Sequence, residues 1–234
     1  HLIMDISGGS LTNAARTGGF LMFAFASMQF IASPLLGNLS DRFGRRPVLL
    51  WSLVAMGFNY LLMGWAPTLL WLFVGRIIGG VSASTYGTAN AYVADTFPAH
   101  KRAQYFALLG AAFGAGFILG PAIGGFLGEY GARTPFYAAA GLTFLNIIYG
   151  YFVLPESLKH ADRRAFQLSR AHPLAAINQL RQYPVVISLV LVYFFYQLGH
   201  FALPSVWAFF TIEKFGWSTR DIGFSLSAIG VAMI

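Results

Sequence analysis

A chain of 234 residues with 57% hydrophobic and only 10% charged residues has too little polar surface to cover itself in water, since soluble domains carry about 25% charged residues. The mean hydropathy of +0.63 makes lipid the expected solvent. The net charge of +7 does not point to nucleic acid, because most Lys and Arg lie in short segments between long apolar runs, and the absence of cysteine excludes a disulfide framework and thiolate metal sites.

A membrane helix needs roughly 20 mainly apolar residues to cross about 30 Å of hydrocarbon. On that measure a first span is predicted over Thr17–Leu36, containing Gln29. It leads into Gly37-Asn-Leu-Ser-Asp41-Arg42-Phe-Gly44-Arg45-Arg46-Pro47, where Gly37 and Gly44 are expected to permit a tight turn and Pro47 to be the first residue of the next helix. The second span, Val48–Ala66, carries Asn59 and Tyr60. The third, Leu69–Val93, contains the one clearly intramembrane charge, Arg76, and runs into Asp95-Thr-Phe-Pro98. Arg76 lies about 12 Å along the helix from Thr68, and a charge at that depth costs several kcal/mol unless water or a partner supports it. The fourth span, Arg102–Leu127, is rich in glycine: Gly110, Gly114, Gly116, Gly120, Gly124 and Gly125 surround Pro121, with Gly128 just beyond. Gly116, Gly120, Gly124 and Gly128 recur every fourth residue and are expected to form one face that admits another backbone, while Pro121 can bend the helix. The fifth span, Pro135–Leu154, carries Asn146, and the sixth, Val185–Phe210, carries Gln197 and His200 shortly before Pro204. A seventh starts near Ile222. The polar connection Pro155–Tyr183 holds His160, His172 and Pro173, and Leu174–Gln182 within it reads as a short interfacial helix.

The charges orient these spans. Arg42, Arg45, Arg46, Lys101, Arg102, Lys159, Arg163, Arg164, Arg170 and Arg181 share one side, whereas Arg16, Arg133, Lys214 and Arg220 share the other. The excess places the first group in the cytoplasm. Trp65 with Trp71, and Trp207 with Trp217, suit an interfacial aromatic belt. The first span then runs from outside to inside, which implies an earlier helix. With His1 at its start and an apolar run at Ile234, the chain is expected to be a fragment. The fold class is all-α: a polytopic transmembrane helix bundle of six full spans and the start of a seventh. No span carries an acid, a nucleophile–base pair or a His/Asp/Glu cluster of the kind an active site needs, so an enzyme is not expected.

The hairpin pattern Gly-x-x-x-Asp-Arg-x-Gly-Arg-Arg resembles the signature loop between the second and third helices of the major facilitator superfamily. The run Ser40-Asp-Arg-Phe-Gly-Arg-Arg-Pro-Val-Leu-Leu50 is similar in particular to the tetracycline exporters, a group of drug/proton antiporters. The resemblance covers essentially the whole chain, as helices two through seven and the start of eight. It implies that residues 1–154 form most of the N-terminal half, 155–184 a cytoplasmic linker between halves and 185–234 the start of the C-terminal half. It also implies a cytoplasmic latch of Gly37, Asp41, Arg42, Gly44, Arg45, Arg46 and Asp95, in which Arg45 pairs with Asp95 and Asp41 contributes to contacts with the other half. Such a pair at the lipid–water boundary is partly desolvated and can serve as a breakable lock. Gly75-Arg-Ile-Ile-Gly-Gly80 resembles the family's fourth-helix motif, whose Arg is linked to proton coupling, so Arg76 is assigned to coupling or to the cavity. Gly114-Ala-Gly-Phe-Ile-Leu-Gly-Pro-Ala-Ile-Gly-Gly125 is similar to the Gly-Pro-rich antiporter motif.

Gln29, in Met28-Gln-Phe30, resembles a substrate-cavity residue of the exporters, and Asn59, Gln197 and His200 are further cavity candidates. Asn59 stands where those exporters carry an acid, and Met233 near the place of an expected His. The resemblance thus implies a multi-pass protein of the cell membrane that exports hydrophobic small molecules or drugs by alternating access, with the proton as coupling ion and no cofactor or metal. Its partners are then a small-molecule substrate and the bilayer, with no nucleic acid; the sequence does not specify an oligomeric state. The alternatives are a symporter or uniporter importing a metabolite, and a membrane enzyme or sensor that transports nothing.

Overall fold

A computed structural model describes residues 2–7, 10–168, 171, 173 and 183–232. The expected interfacial helix over 174–182, and Arg170, His172, Arg181 and Met233, lie outside the described residues. Among the described residues the helices are α1 (Leu2–Ser7), α2 (Leu11–Phe43), α3 (Arg45–Trp65), α4 (Leu69–Ala83), α5 (Tyr86–Thr96), α6 (Ala99–Gly128), α7 (Thr134–Val153), α8 (Pro184–Phe215) and α9 (Thr219–Ala232), with one 3₁₀ turn at His160–Asp162. Six helical stretches among the described residues are long and apolar enough to cross a membrane, with α4 and α5 counted together as one of them. Each of the six full predicted spans overlaps one of these stretches, with only Ala66 and Leu154 falling one residue past a helix end.

The spans are longer than the apolar runs alone predict. The 33 residues of α2 reach about 50 Å at 1.5 Å per residue, so its last turns overhang the hydrocarbon at the inner, basic end. The expected turn at Gly37 is therefore helix. Only Gly44 breaks the chain between α2 and α3, at φ +107°, a backbone conformation that glycine adopts without the clash a Cβ would bring. Pro47 is the third residue of α3 rather than the first, a position within the first turn that still lacks an intrahelical N–H partner.

The predicted span Leu69–Val93 is interrupted at Ser84-Thr85. Ser82 Oγ donates to Ile78 O at 2.9 Å, Ser84 Oγ to Gly80 O at 2.8 Å and Thr85 Oγ1 to Ser82 O at 3.3 Å. Such side-chain bonds to carbonyls of the preceding turn compete with the helix ladder and bend it. Beyond the break the helix runs on to Thr96, which brings Asp95 into its last turn.

Packing follows small residues. α2 lies on α4, α3 on α4 and α7, and α6 on α9. At Gly80 the approach is close enough that a Cβ would collide with the carbonyl oxygen of Phe25 in α2. At the outer end Leu21, Met63, Ala66 and Leu72 form a buried cluster, covered by Leu2, Ile3 and Ile6 of α1. Trp65 stacks edge-on against Trp71 with centroids 5.5 Å apart, and Trp207 against Trp217 at 6.3 Å. Gly216, at φ +64°, ends α8. Reciprocal bonds between Ser218 and Asp221 open α9: Ser218 N–H donates to Asp221 Oδ2 at 3.0 Å, and Asp221 N–H to Ser218 Oγ at 3.2 Å.

Candidate functional site

The inner ends of α2, α3 and α5 meet at Arg45. Its Nε donates to Asp95 Oδ2 at 3.0 Å, and its Nη1 donates to Asp41 Oδ1 and, at 2.6 Å, to Ser40 Oγ. Arg45 is 9% exposed and Ser40 is fully buried, so the guanidinium is largely withdrawn from water and its positive charge is met by two carboxylates. A guanidinium suits this place because its planar fork reaches two acceptors at once. The break at Gly44 turns the chain so that Arg45, first residue of α3, points back at the last turn of α2, where Asp41 sits four residues earlier.

A further acid completes the cluster. Glu156 Oε1 accepts from the backbone N–H of Arg45 at 2.9 Å and from that of Leu158 at 3.0 Å, placing a negative charge on the N-terminus of α3, where the helix dipole favours it. The segment after α7 continues across the hairpin. Arg164 N–H donates to Asp41 O at 3.0 Å, and Asn38 Nδ2 donates to Gln167 O at 2.6 Å. Sequence reasoning missed Glu156 and Asn38, because their partners lie 111 and 129 residues away. The one available signal was an acid just past the inner end of a span.

The other expected latch residues divide. Gly44 is buried against the Glu156 carboxylate. Arg46 turns away from the ion pairs, donating to Tyr151 O at 2.7 Å, and Arg42 lies over the ring of Phe43 at 5.0 Å. Gly37 is a helical residue of α2 with open space beside it.

A second polar site lies inside the bundle. Asn59, Tyr60 and Arg76 line a cavity of about 250 Å³, walled by Phe25, Met56 and Phe136. Arg76 Nε and Asn59 Oδ1 are buried, and neither has a hydrogen-bond partner among the described residues. A donor and an acceptor left unmatched in low dielectric are costly, which makes them fit to receive a polar group. Gln29 stands beside this cavity rather than in it: its Nε2 donates to Ala83 O at 3.4 Å, and its backbone carbonyl accepts from Ser84 Oγ at 3.1 Å. Gln197 and His200 on α8 do not line the cavity; His200 stacks on Tyr196 with centroids 5.8 Å apart and meets Phe201 edge-on at 5.7 Å.

The glycine-rich helix packs on α9 at its outer end, through Gly125 and through Gly128, the last of the four glycines expected to share a face, where a Cβ would stand 3.4 Å from Thr219. Gly116, Gly120 and Gly124 have open space where a Cβ would stand, as does Gly110. The close approach is at Gly125, where a Cβ would come 2.7 Å from Thr219 O and 3.0 Å from Gly223 Cα, and at Pro121, whose carbonyl abuts Gly223. Ser227 Oγ donates to Ile118 O at 2.5 Å and extends the seam inward.

An all-helical bundle with six membrane-length stretches, a charge cluster at its basic end and a polar cavity between helices is a multi-pass integral membrane protein. The Major Facilitator Superfamily profile matches residues 4–234. The class C tetracycline resistance protein of Escherichia coli is 40% identical over 236 residues, covering 98% of this chain and 59% of that protein. The quinolone resistance protein NorA of Staphylococcus aureus (strain MSSA476) is 32% identical over 235 residues, with the same shares. The crystal structure of the human organic anion transporter MFSD10 superposes with a TM-score of 0.76 at 27% identity, covering 98% of this chain and 58% of that one. The chain belongs to the Major Facilitator Superfamily, and spans 59% of the length of these two resistance proteins.

Proposed function

We propose that the whole protein is a secondary active transporter that exports hydrophobic small molecules in exchange for protons, by alternating access. The observation that carries this reading is Arg45, nearly buried and bonded to both Asp41 and Asp95. Its two ion pairs tie three helices together at the lipid–water boundary. Breaking them costs free energy, yet the separated groups become rehydrated once water enters, so the contact can bias which side is open without locking it permanently. Such a contact suits two helical halves rocking about a central site.

Drugs as substrates are supported by the names of two relatives, which state resistance to tetracycline and to quinolones. The antiport direction is supported by the Gly-Pro stretch Gly114–Gly125, whose Pro121 and Gly125 pack on α9. Arg76 is the residue of this chain assigned to coupling or to the cavity. With Asn59 beside it in place of an acid, the cavity offers a cation and an amide, which favours an amphipathic substrate with a hydrogen-bonding or anionic group.

The test uses full-length protein in inverted vesicles. A fluorescent drug should accumulate when a proton gradient is imposed and leave when a protonophore collapses it. Movement in the opposite direction would replace export by import, and conversion of substrate without movement would replace transport by catalysis.

A further inference from the structure

On the flank of the bundle, between α3 and α7, lies a groove of about 300 Å³ that includes Arg46, Leu50, Trp51, Val54, Ile147 and Tyr151. It takes no part in the ion-pair cluster or the internal cavity. Arg46, Leu50 and Val54 fall at i, i+4 and i+8 on α3, so they form one stripe that descends about 12 Å from the arginine. Arg46 is the second residue of α3, at the inner lip of the membrane. Its guanidinium is anchored by Tyr151 O at 2.7 Å and lies 5.3 Å from the Tyr151 ring centroid. Among the described residues both ion pairs belong to Arg45, so Arg46 has no carboxylate counterion there. Glu156, the acid three residues past α7, is held by the N–H groups of Arg45 and Leu158. Below the arginine the walls are apolar, and Trp51 and Tyr151 are 72% and 60% exposed.

We propose that this groove binds one anionic phospholipid of the inner leaflet, with the headgroup phosphate on Arg46 and an acyl chain along Leu50, Val54 and Ile147 against the Trp51 ring. Charge complementarity selects the occupant. The cation lies at headgroup depth above an apolar channel whose length and direction follow an acyl chain, and basic pockets between helices on the cytoplasmic side are suited to anionic headgroups.

The test uses the full-length protein with Trp51 as its only tryptophan, in vesicles containing brominated phosphatidylglycerol or brominated phosphatidylcholine at matched mole fraction. One cation near the surface contributes about 1 kcal/mol, so phosphatidylglycerol should occupy the quenching site about fivefold more favourably. Arg46→Gln should bring that ratio close to one, and Arg46→Lys should keep most of it. Val54→Phe, which fills the groove, should weaken quenching by both lipids. Equal quenching of the Arg46 protein by the two lipids overturns the proposal, as does an undiminished ratio in Arg46→Gln. Trp51 shielded from both lipids overturns it too, and would give the groove to a protein neighbour. If Arg46→Gln fails to insert, the comparison of the two lipids on the Arg46 protein decides alone.

Discussion

Arg45 opens α3 at the inner end, and Arg133, from the turn before α7, closes it at the outer end. The two guanidiniums have opposite kinds of partner. Arg45 meets carboxylates that belong to α2 and α5. Arg133 donates from Nη1 to Gly64 O at 2.9 Å and Trp65 O at 2.7 Å, and from Nη2 to Ala66 O at 2.9 Å. Those carbonyls are the orphans that every helix leaves at its C-terminus, so Arg133 caps α3 from the adjoining helix of a closely packed pair. On the proposed alternating access, the first arrangement is one that can be broken, because charged groups regain hydration once separated. The second serves a need that persists whatever the bundle's state. A switch is therefore expected at the inner end and a fixed support at the outer one.

The comparison can be broken most sharply at the inner end. Arg45→Ala leaves Asp41 and Asp95 without their cation, and should lower the initial rate of proton-driven export in inverted vesicles by about tenfold or more, since truncating one partner of a buried pair typically costs several kcal/mol. Membrane insertion, read by reporter fusions, should be unchanged. Comparable in size to each other are the outer seam and the outer cap. Gly125→Leu drives a side chain into the backbone of α9 and should destabilise the detergent-purified protein by about 1–3 kcal/mol. Gly120→Ala, with open space around it, should leave the melting temperature almost unchanged; equal effects would contradict the assigned face.

Arg133→Ala should lower stability by roughly 1.5–3 kcal/mol, as expected for lost hydrogen bonds to a charged donor, while most of the transport rate survives. A loss of transport as large as that of Arg45→Ala would erase the distinction between the two ends. Smallest is Asp221→Asn at the start of α9. Bonds from the Ser218 hydroxyl and N–H hold the Asp221 carboxyl below its ordinary value of 3.8. Its stabilising effect is thus fully present above that value and is lost as pH falls through the lower folded one. Melting curves should show a slight difference from Asn at neutral pH that vanishes in strong acid.

The spans were legible because long apolar runs alternate with arginine-rich loops, and that signal is local. The juxtaposition of Arg45 and Asp95 was legible only through a resemblance, since nothing in spacing alone joins residues 50 apart. Gly37 was misplaced in a turn because composition does not tell a glycine inside an overhanging helix from one that ends it. The break at Ser84-Thr85 stayed hidden because three hydroxyl side chains within an apolar run barely alter its hydropathy. Arg133 was counted as one outer cation, although its partners, 67 to 69 residues away, are backbone carbonyls that no side-chain pattern reveals. What escaped the sequence is contact between distant segments, above all contact with backbone.

The most direct measurement is a double-mutant cycle on the inner ion pair in the full-length protein, reading initial export rates for the parent, Arg45→Ala, Asp95→Ala and the pair together. The account predicts that each single change lowers the rate about tenfold or more and that the double variant is no slower than the slower single one, because the second change removes a charge already left without its partner. Losses that multiply in the double variant, or a single variant that exports at the parent rate, would contradict it.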